Sequence, residues 1–221
     1  MWYDNLDRLQ TIVNLHDVER KTIIYSCSKN NNIVDIYYNE ELIKEYNQIK
    51  QFKKFVKHYQ EKEYYKKFTN EYIVILGKKI YYKYIPQLKI ISIRNEYNEV
   101  LTCKNEEKIY DVLENFAIEK LLELIKVKIL EFGDQELNKY DIFINHKWKS
   151  TYGKIWFNKK IEFSKKLCHY DIEAIYSVVY HEIAHFYTPK SNHDEVFYSK
   201  LLELFPNYYE INNKLERTIF C

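Results

Sequence analysis

Glycine and proline are scarce in this chain, three of each in 221 residues, and methionine occurs once. The scarcity accompanies abundant Ile, Lys, Asn and Tyr and reads as coding bias, not mechanism. No stretch approaches about 20 uninterrupted apolar residues, so a membrane span is not expected. The opening Met1-Trp2-Tyr3-Asp4-Asn5-Leu6-Asp7 lacks the basic start and apolar run of a secretion signal, and a soluble, cytoplasmic chain is expected. The four cysteines, Cys27, Cys103, Cys168 and Cys221, include no C-x-x-C pair. That argues against a zinc ribbon or redox dithiol and leaves free thiols as the expectation. Charge of one sign is lacking too. With 34 basic and 32 acidic residues the net charge is +2, which gives no clear case for a nucleic-acid partner.

What is present is a globular composition: 46% hydrophobic, 30% charged, with 23 tyrosines among the aromatics. The length suits one domain, or one with a smaller companion, and allows a proper core. Thr22–Ser28 and Ile33–Tyr38 read as a hairpin around Lys29-Asn30-Asn31-Asn32. Leu42, Tyr46, Ile49, Phe52, Val56 and Tyr59 then recur at helical intervals. Tyr72–Leu76 and Ile80–Ile85 read as strands joined through Gly77-Lys78-Lys79, and Ile90–Ile93 and Val100–Cys103 as further strands. A long helix is expected from about Asp111 to Phe132, stopped by Gly133. Asp141–Asn145 and Lys154–Asn158 read as strands flanking a turn at Gly153. Helices follow after Asp171, a good N-cap, and near Asp194, the second interrupted by Pro206. No internal repeat or low-complexity linker is visible. The expected architecture is α+β, with a β-rich N-terminal part over 1–108 and a helical core over 109–221, the whole forming one compact unit.

One segment, from Lys53-Lys54-Phe55 to Tyr64-Tyr65-Lys66-Lys67-Phe68, interleaves basic and aromatic residues. Such a pattern suits single-stranded nucleic acid, whose bases stack on rings. Glu61 and Glu63 interrupt it, and a solvated helix face over buried aromatics is the favoured reading.

The segment that carries chemistry is His181-Glu182-Ile183-Ala184-His185, an H-E-x-x-H inside an expected helix. Four residues turn about 400° and rise about 6 Å along a helix, so both imidazoles leave one side, one turn apart. That spacing lets two ring nitrogens reach one Zn²⁺ at about 2.0–2.1 Å. Glu182 lies about 100° around, close enough to address a water on the metal without being a ligand. Catalytic zinc commonly keeps three protein ligands and an open position. Thr188-Pro189-Lys190-Ser191-Asn192 ends the helix, and His193 stands beyond that loop as the natural third ligand. With seven histidines in the chain, a chance H-E-x-x-H has a probability of about 2%. The helical setting, the terminating proline and the third histidine therefore carry the reading.

Beyond the third histidine the chain reads His193-Asp194-Glu195-Val196-Phe197-Tyr198, an aromatic four residues on, and then Pro206. Upstream stands Lys147-Trp148-Lys149-Ser150-Thr151, and further back Ile75-Leu76-Gly77-Lys78-Lys79-Ile80-Tyr81. Together with H-E-x-x-H these residues resemble the YgjP-like metallopeptidase family, relatives of the SprT-like and minimal gluzincin-type zinc proteins. Members carry a basic-Trp-Gly-Ser-Cys turn before a strand, and a strand leading into Leu-Gly-basic and another strand. Two features differ: Lys149 and Thr151 replace the glycine and cysteine of that turn, and seven residues separate His185 from His193 where relatives usually have five. The resemblance implies a zincin-like core with H-E-x-x-H on its active-site helix, and zinc-dependent hydrolysis, most often of peptides. It also implies an alternative, nucleoside-triphosphate pyrophosphohydrolysis, so the substrate is a peptide or a nucleotide.

The chemistry expected of these residues is a zinc ion on His181, His185 and His193 that brings the pKa of its water toward about 7, with Glu182 as general base. An oxyanion stabiliser is expected as well. Tyr187, Tyr198, His146 and His169 are nearby in sequence, yet each reads as a packing or surface residue. A different class of function, a zinc-stabilised interaction module, requires a closed site with a fourth protein ligand such as Cys168.

Overall fold

The computed structural model describes residues 5–17, 24–30, 32–38, 43, 46–94 and 97–221, and of 24–30 and 46–48 the backbone alone. They fall into two compact units, Leu6–Lys66 with Glu216–Cys221, and Lys67–Leu215, which also takes in Asn5. Thr22 and Asn31, in the expected first hairpin, and Leu42, the first position of the helical pattern, lie outside the described residues.

The smaller unit begins with β1 (Arg8–Leu9), β2 (Ile12–Asp17), β3 (Ile24–Asn30) and β4 (Ile33–Tyr38). β3 and β4 pair antiparallel, the expected hairpin, with an irregularity between Ile24 and Ser26; β2 runs parallel to β4 on its other side. α1 (Tyr46–Gln60) and β5 (Glu63–Tyr65) follow. β5 pairs antiparallel with β1 and parallel with the C-terminal strand Thr218–Phe220. Alternation along β4 buries Val34 and Ile36 completely. α1 lays Phe52, Phe55, Val56 and Tyr59 over them and Tyr64. Lys50, Lys53, Lys54 and Lys57 remain exposed on the same helix. The interleaved basic and aromatic residues of α1 thus separate onto different faces, the rings half-buried against β4 and Tyr64 and the lysines exposed.

In the larger unit β6 (Tyr72–Ile75), β7 (Lys78–Ile85), β8 (Ile90–Ile93) and β9 (Val100–Thr102) form an antiparallel meander in that order. The β6–β7 turn is Leu76-Gly77, one residue earlier than the sequence reading places it. Ile75 pairs with Lys78, and the two residues between have φ of +48° and +80°, as a two-residue primed turn requires. α2 (Ile109–Phe132) buries Leu113, Ala117, Leu121 and Ile125 fully and ends at Gly133, whose φ of +78° supplies the left-handed stop. β10 (Asp141–Asn145), β11 (Gly153–Trp156) and β12 (Lys160–Ser164) form a second sheet in the order β10-β12-β11. β10 is parallel to β12 and β11 antiparallel to it, which leaves β11 at an edge. β12 is absent from the sequence reading, and Gly153 opens a strand where a turn is expected. Three helices follow: α3 (Ile172–Tyr187), α4 (Glu195–Leu204) and α5 (Tyr208–Arg217).

The architecture is mixed α+β. The division expected at 108/109 falls inside the larger unit, because the meander is built into what comes after it. β6 packs on α2. The Leu76 N–H donates to the Cys168 carbonyl at 2.8 Å, and the His169 ring donates from Nδ1 to the Val74 carbonyl at 2.7 Å. A Cβ on Gly77 would lie 2.8 Å from the Cα of Asp171, so this turn needs glycine for its neighbour as well as for its φ. No helix among the described residues is long and apolar enough to cross a membrane.

Candidate metal centre

α3 is placed by its ends. Asp171 caps it, its carboxylate accepting the Ala174 N–H at 2.8 Å. At the other end Thr188 turns back, its N–H and its hydroxyl both donating to the Ala184 carbonyl. The Ser191 N–H then donates to the Thr188 carbonyl and closes a turn around Pro189. His193 follows in the left-handed region at φ +52°, costly for a histidine. Next to it Asp194 caps α4 by accepting the Phe197 N–H at 3.1 Å. Ala184, Phe197, Leu201 and Tyr208 lock α3, α4 and α5 together.

These constraints bring the three histidines named from the sequence to one point. His193 Nε2 lies 3.0 Å from Nε2 of His181 and 3.0 Å from Nε2 of His185. A tetrahedral metal with bonds of about 2.0–2.1 Å holds its nitrogen ligands about 3.3–3.4 Å apart, close to what is seen. Protons are poor company for this cluster. Desolvation, with the neighbouring histidines, pushes His181 down to about 3. Desolvation, with His193 beside it, pushes His185 down to about 4. Neutral imidazoles with lone pairs aimed at a common centre repel one another unless a cation lies between them, so this donor set fits a divalent metal ion.

Around the pair, the structure adds groups that the sequence reading lacks. The Tyr208 hydroxyl lies 3.1 Å from His181 Nδ1. A proton on Nδ1 there fixes the tautomer whose Nε2 lone pair is available to a metal. Nothing in the spacing of residues 181–193 signals a partner 27 positions from His181 on another helix.

Glu182 is 4% exposed. Burial raises its pKa to about 8, against the lowering effects of the Ile155 N–H that it accepts and of Lys154. It fits because residue 153 is glycine: a Cβ there would lie 2.7 Å from Glu182 Oε1 and 2.9 Å from Val178 Cγ1. β11 therefore touches α3 at Gly153 and presents a backbone N–H to the carboxylate two residues later.

A cavity of about 360 Å³ opens on the three histidines and Glu182, walled also by β11 and by Pro189, Ser191 and Asn192. Tyr187, Tyr198, His146 and His169 do not line it. The Tyr187 hydroxyl donates to Asp134 at 2.5 Å, and His169 is buried against β6 with its pKa pushed down to about 4 by desolvation. Cys168 is buried apart from the cluster, its thiol pushed up to about 12 by desolvation. Cys103 and Cys168 are free thiols.

The family model "YgjP-like, metallopeptidase domain" matches residues 26–218, nearly the whole chain. The chain belongs to the YgjP-like metallopeptidase family. Two solved structures are similar in part. The metallopeptidase zymogen of Pyrococcus abyssi abylysin is 23% identical, with 44% of this chain and 90% of that chain covered and a TM-score of 0.34. The metallopeptidase zymogen of Methanocaldococcus jannaschii jannalysin is 22% identical, with 44% and 92% covered and a TM-score of 0.34. No curated protein matches.

Proposed function

We propose that this YgjP-like chain is a zinc peptidase with a zincin-like core, in which His181, His185 and His193 hold the ion and Glu182 is the general base. The observation that carries the reading is a buried carboxylate beside a three-imidazole cluster whose remaining side faces a cavity. Three nitrogen donors and one open position are the donor set of catalytic zinc; a structural site is closed by a fourth protein ligand. Zinc bound there lowers the pKa of water toward about 7 and polarises a carbonyl.

The chain's own groups do the rest. His181, His185 and His193 would hold the ion, with the Tyr208 hydroxyl steadying His181. The Ile155 N–H holds the Glu182 carboxylate in place. Burial favours its protonated form, and a nearby dication favours the ionised one. The two effects oppose each other and poise Glu182 near neutrality, where it takes a proton from the attacking water and returns it to the leaving amine.

Two features support a peptide as substrate. β11 is an edge strand along the cavity, and the Ile155 N–H is turned away from β12 toward α3. An edge strand beside a cavity is the element on which an extended chain can be received. The lining is also poor in cations: Lys154 is the one lysine or arginine among the lining residues. A triphosphate is held by several cations or by backbone N–H groups at a helix N-terminus.

The test is metal analysis of the purified chain, followed by peptide and nucleoside-triphosphate panels with and without chelator. Chelator-sensitive peptide cleavage is the expected result. Release of pyrophosphate instead would transfer the site to nucleotide hydrolysis, and inertness with zinc bound would make it a non-catalytic module.

A further inference from the structure

The outer wall of the cavity is aromatic, and its most prominent member has no structural task. Phe157 is 90% exposed, more than any other large apolar side chain among the described residues. It follows β11 in the turn that leads to β12. Turns favour Gly, Asn and Asp because these residues tolerate unusual φ, and a phenylalanine brings a turn nothing. A single exposed apolar residue is ordinary on a protein surface. Phe157 is not single. Ile155, Trp156, Phe186 and Tyr140 line the same cavity. Phe186 and Tyr140 stand edge-to-face at 5.6 Å, and the Lys154 ammonium sits 3.9 Å from the centre of the Trp156 ring. A concave apolar wall that also holds candidate metal ligands is how a ligand pocket is built.

Alternation says where this wall faces. Residue 153 abuts Glu182 and Val178 on α3, so the side chains of 153 and 155 share the face of β11 turned toward that helix. Phe157, in the turn just past the end of the strand, lines the same cavity as Pro189, Ser191, Asn192 and His193.

We infer that Phe157, with Ile155 and Phe186, forms a subsite for a large apolar side chain, aromatic above all, on the residue flanking the bond that is cleaved. The inference rests on the zinc-peptidase reading for the orientation of the ligand. Its test does not depend on turnover. The full chain is loaded with zinc, and the dissociation constants of phenylalanine, leucine, alanine and aspartate hydroxamates are measured by calorimetry; each probe anchors on the metal and differs in side chain. Phenylalanine hydroxamate binds at least about tenfold more tightly than alanine hydroxamate, and aspartate hydroxamate is the weakest. In Phe157→Ser the phenylalanine-to-alanine ratio falls below about threefold at unchanged zinc content, whereas Phe157→Leu keeps most of it. Equal binding of phenylalanine and alanine hydroxamates overturns the subsite, as does a ratio that Phe157→Ser leaves intact. A protein that shows the preference and cleaves no peptide sinks the peptidase reading and leaves the subsite standing. One that cleaves peptides without regard to aromatic residues does the reverse.

Discussion

At the scale of single residues, Glu182 and the histidines divide binding from chemistry. Glu182→Gln keeps the size and the contact with the Ile155 N–H but removes the group that takes a proton. The expected outcome is unchanged zinc content with turnover reduced about 10²–10⁴-fold, read by metal analysis and peptide cleavage on one preparation. Tyr208 acts one step further out. Tyr208→Phe keeps the ring that packs with Ala184, Phe197 and Leu201 and deletes the hydroxyl opposite His181 Nδ1. Competition with a chromogenic chelator should show zinc affinity about 10–100-fold weaker, and an unchanged affinity would remove Tyr208 from the site. The two cases also mark what single residues disclose in sequence. The pairing of His181 with His185 is legible because a helix repeats locally. The packing of Glu182 against Gly153 and the contact of His181 with Tyr208 join distant segments, and no local pattern announces either.

At the scale of elements, α2, α3 and α4 are legible because their apolar periodicity agrees with their caps at Gly133, Asp171 and Asp194. β12, Lys-Ile-Glu-Phe-Ser, alternates polar and apolar residues and buries Ile161 and Phe163, but five residues directly after the turn that follows β11 are too short a run to stand out. α5, Tyr-Tyr-Glu-Ile-Asn-Asn-Lys-Leu-Glu-Arg, places Tyr208, Ile211 and Leu215 at helical spacing and buries them, but it is only ten residues long and lies beyond Pro206, where the sequence reading ends its last helix. The parallel pairing of β10 with β12 is a tertiary fact. Capping gives the element-scale prediction. Asp194 fixes the first turn of α4, and the residue before it is His193, held at a positive φ. Asp194→Ala removes a cap worth about 1 kcal/mol. Fraying there releases the third imidazole before it disturbs α3, so zinc affinity should fall while the far-ultraviolet spectrum stays nearly unchanged. Asp194→Asn, which retains a capping oxygen, should recover most of the loss.

For the whole molecule the titrating groups predict a stability maximum in the zinc-free protein. His169, His181 and His185 have pKa values pushed down to about 4, 3 and 4 from 6.5, so the unfolded chain binds their protons first as pH falls. Their contribution is complete above pH 6.5 and is lost on acidification from there toward pH 3–4. Glu182 runs the other way. With its pKa raised from 4.5 to about 8, the folded chain retains a proton that the unfolded chain gives up, and stability declines as pH rises between those values. Three histidines outweigh one glutamate below pH 6.5, and above it Glu182 alone acts. The maximum should fall near pH 6.5, with a decline of about 2 kcal/mol by pH 8, since one proton changes stability by about 1.4 kcal/mol per pH unit. Trp148 and Trp156 belong to the unit that contains the site, so urea melts followed by tryptophan fluorescence report on it. Glu182→Gln should flatten the alkaline limb. Zinc should stabilise more at pH 8 than at pH 5.5, because the dication removes the penalty for ionising Glu182, which the zinc-free protein avoids at the lower pH by keeping its proton. Equal stabilisation at both pH values would mean that the ion binds away from Glu182.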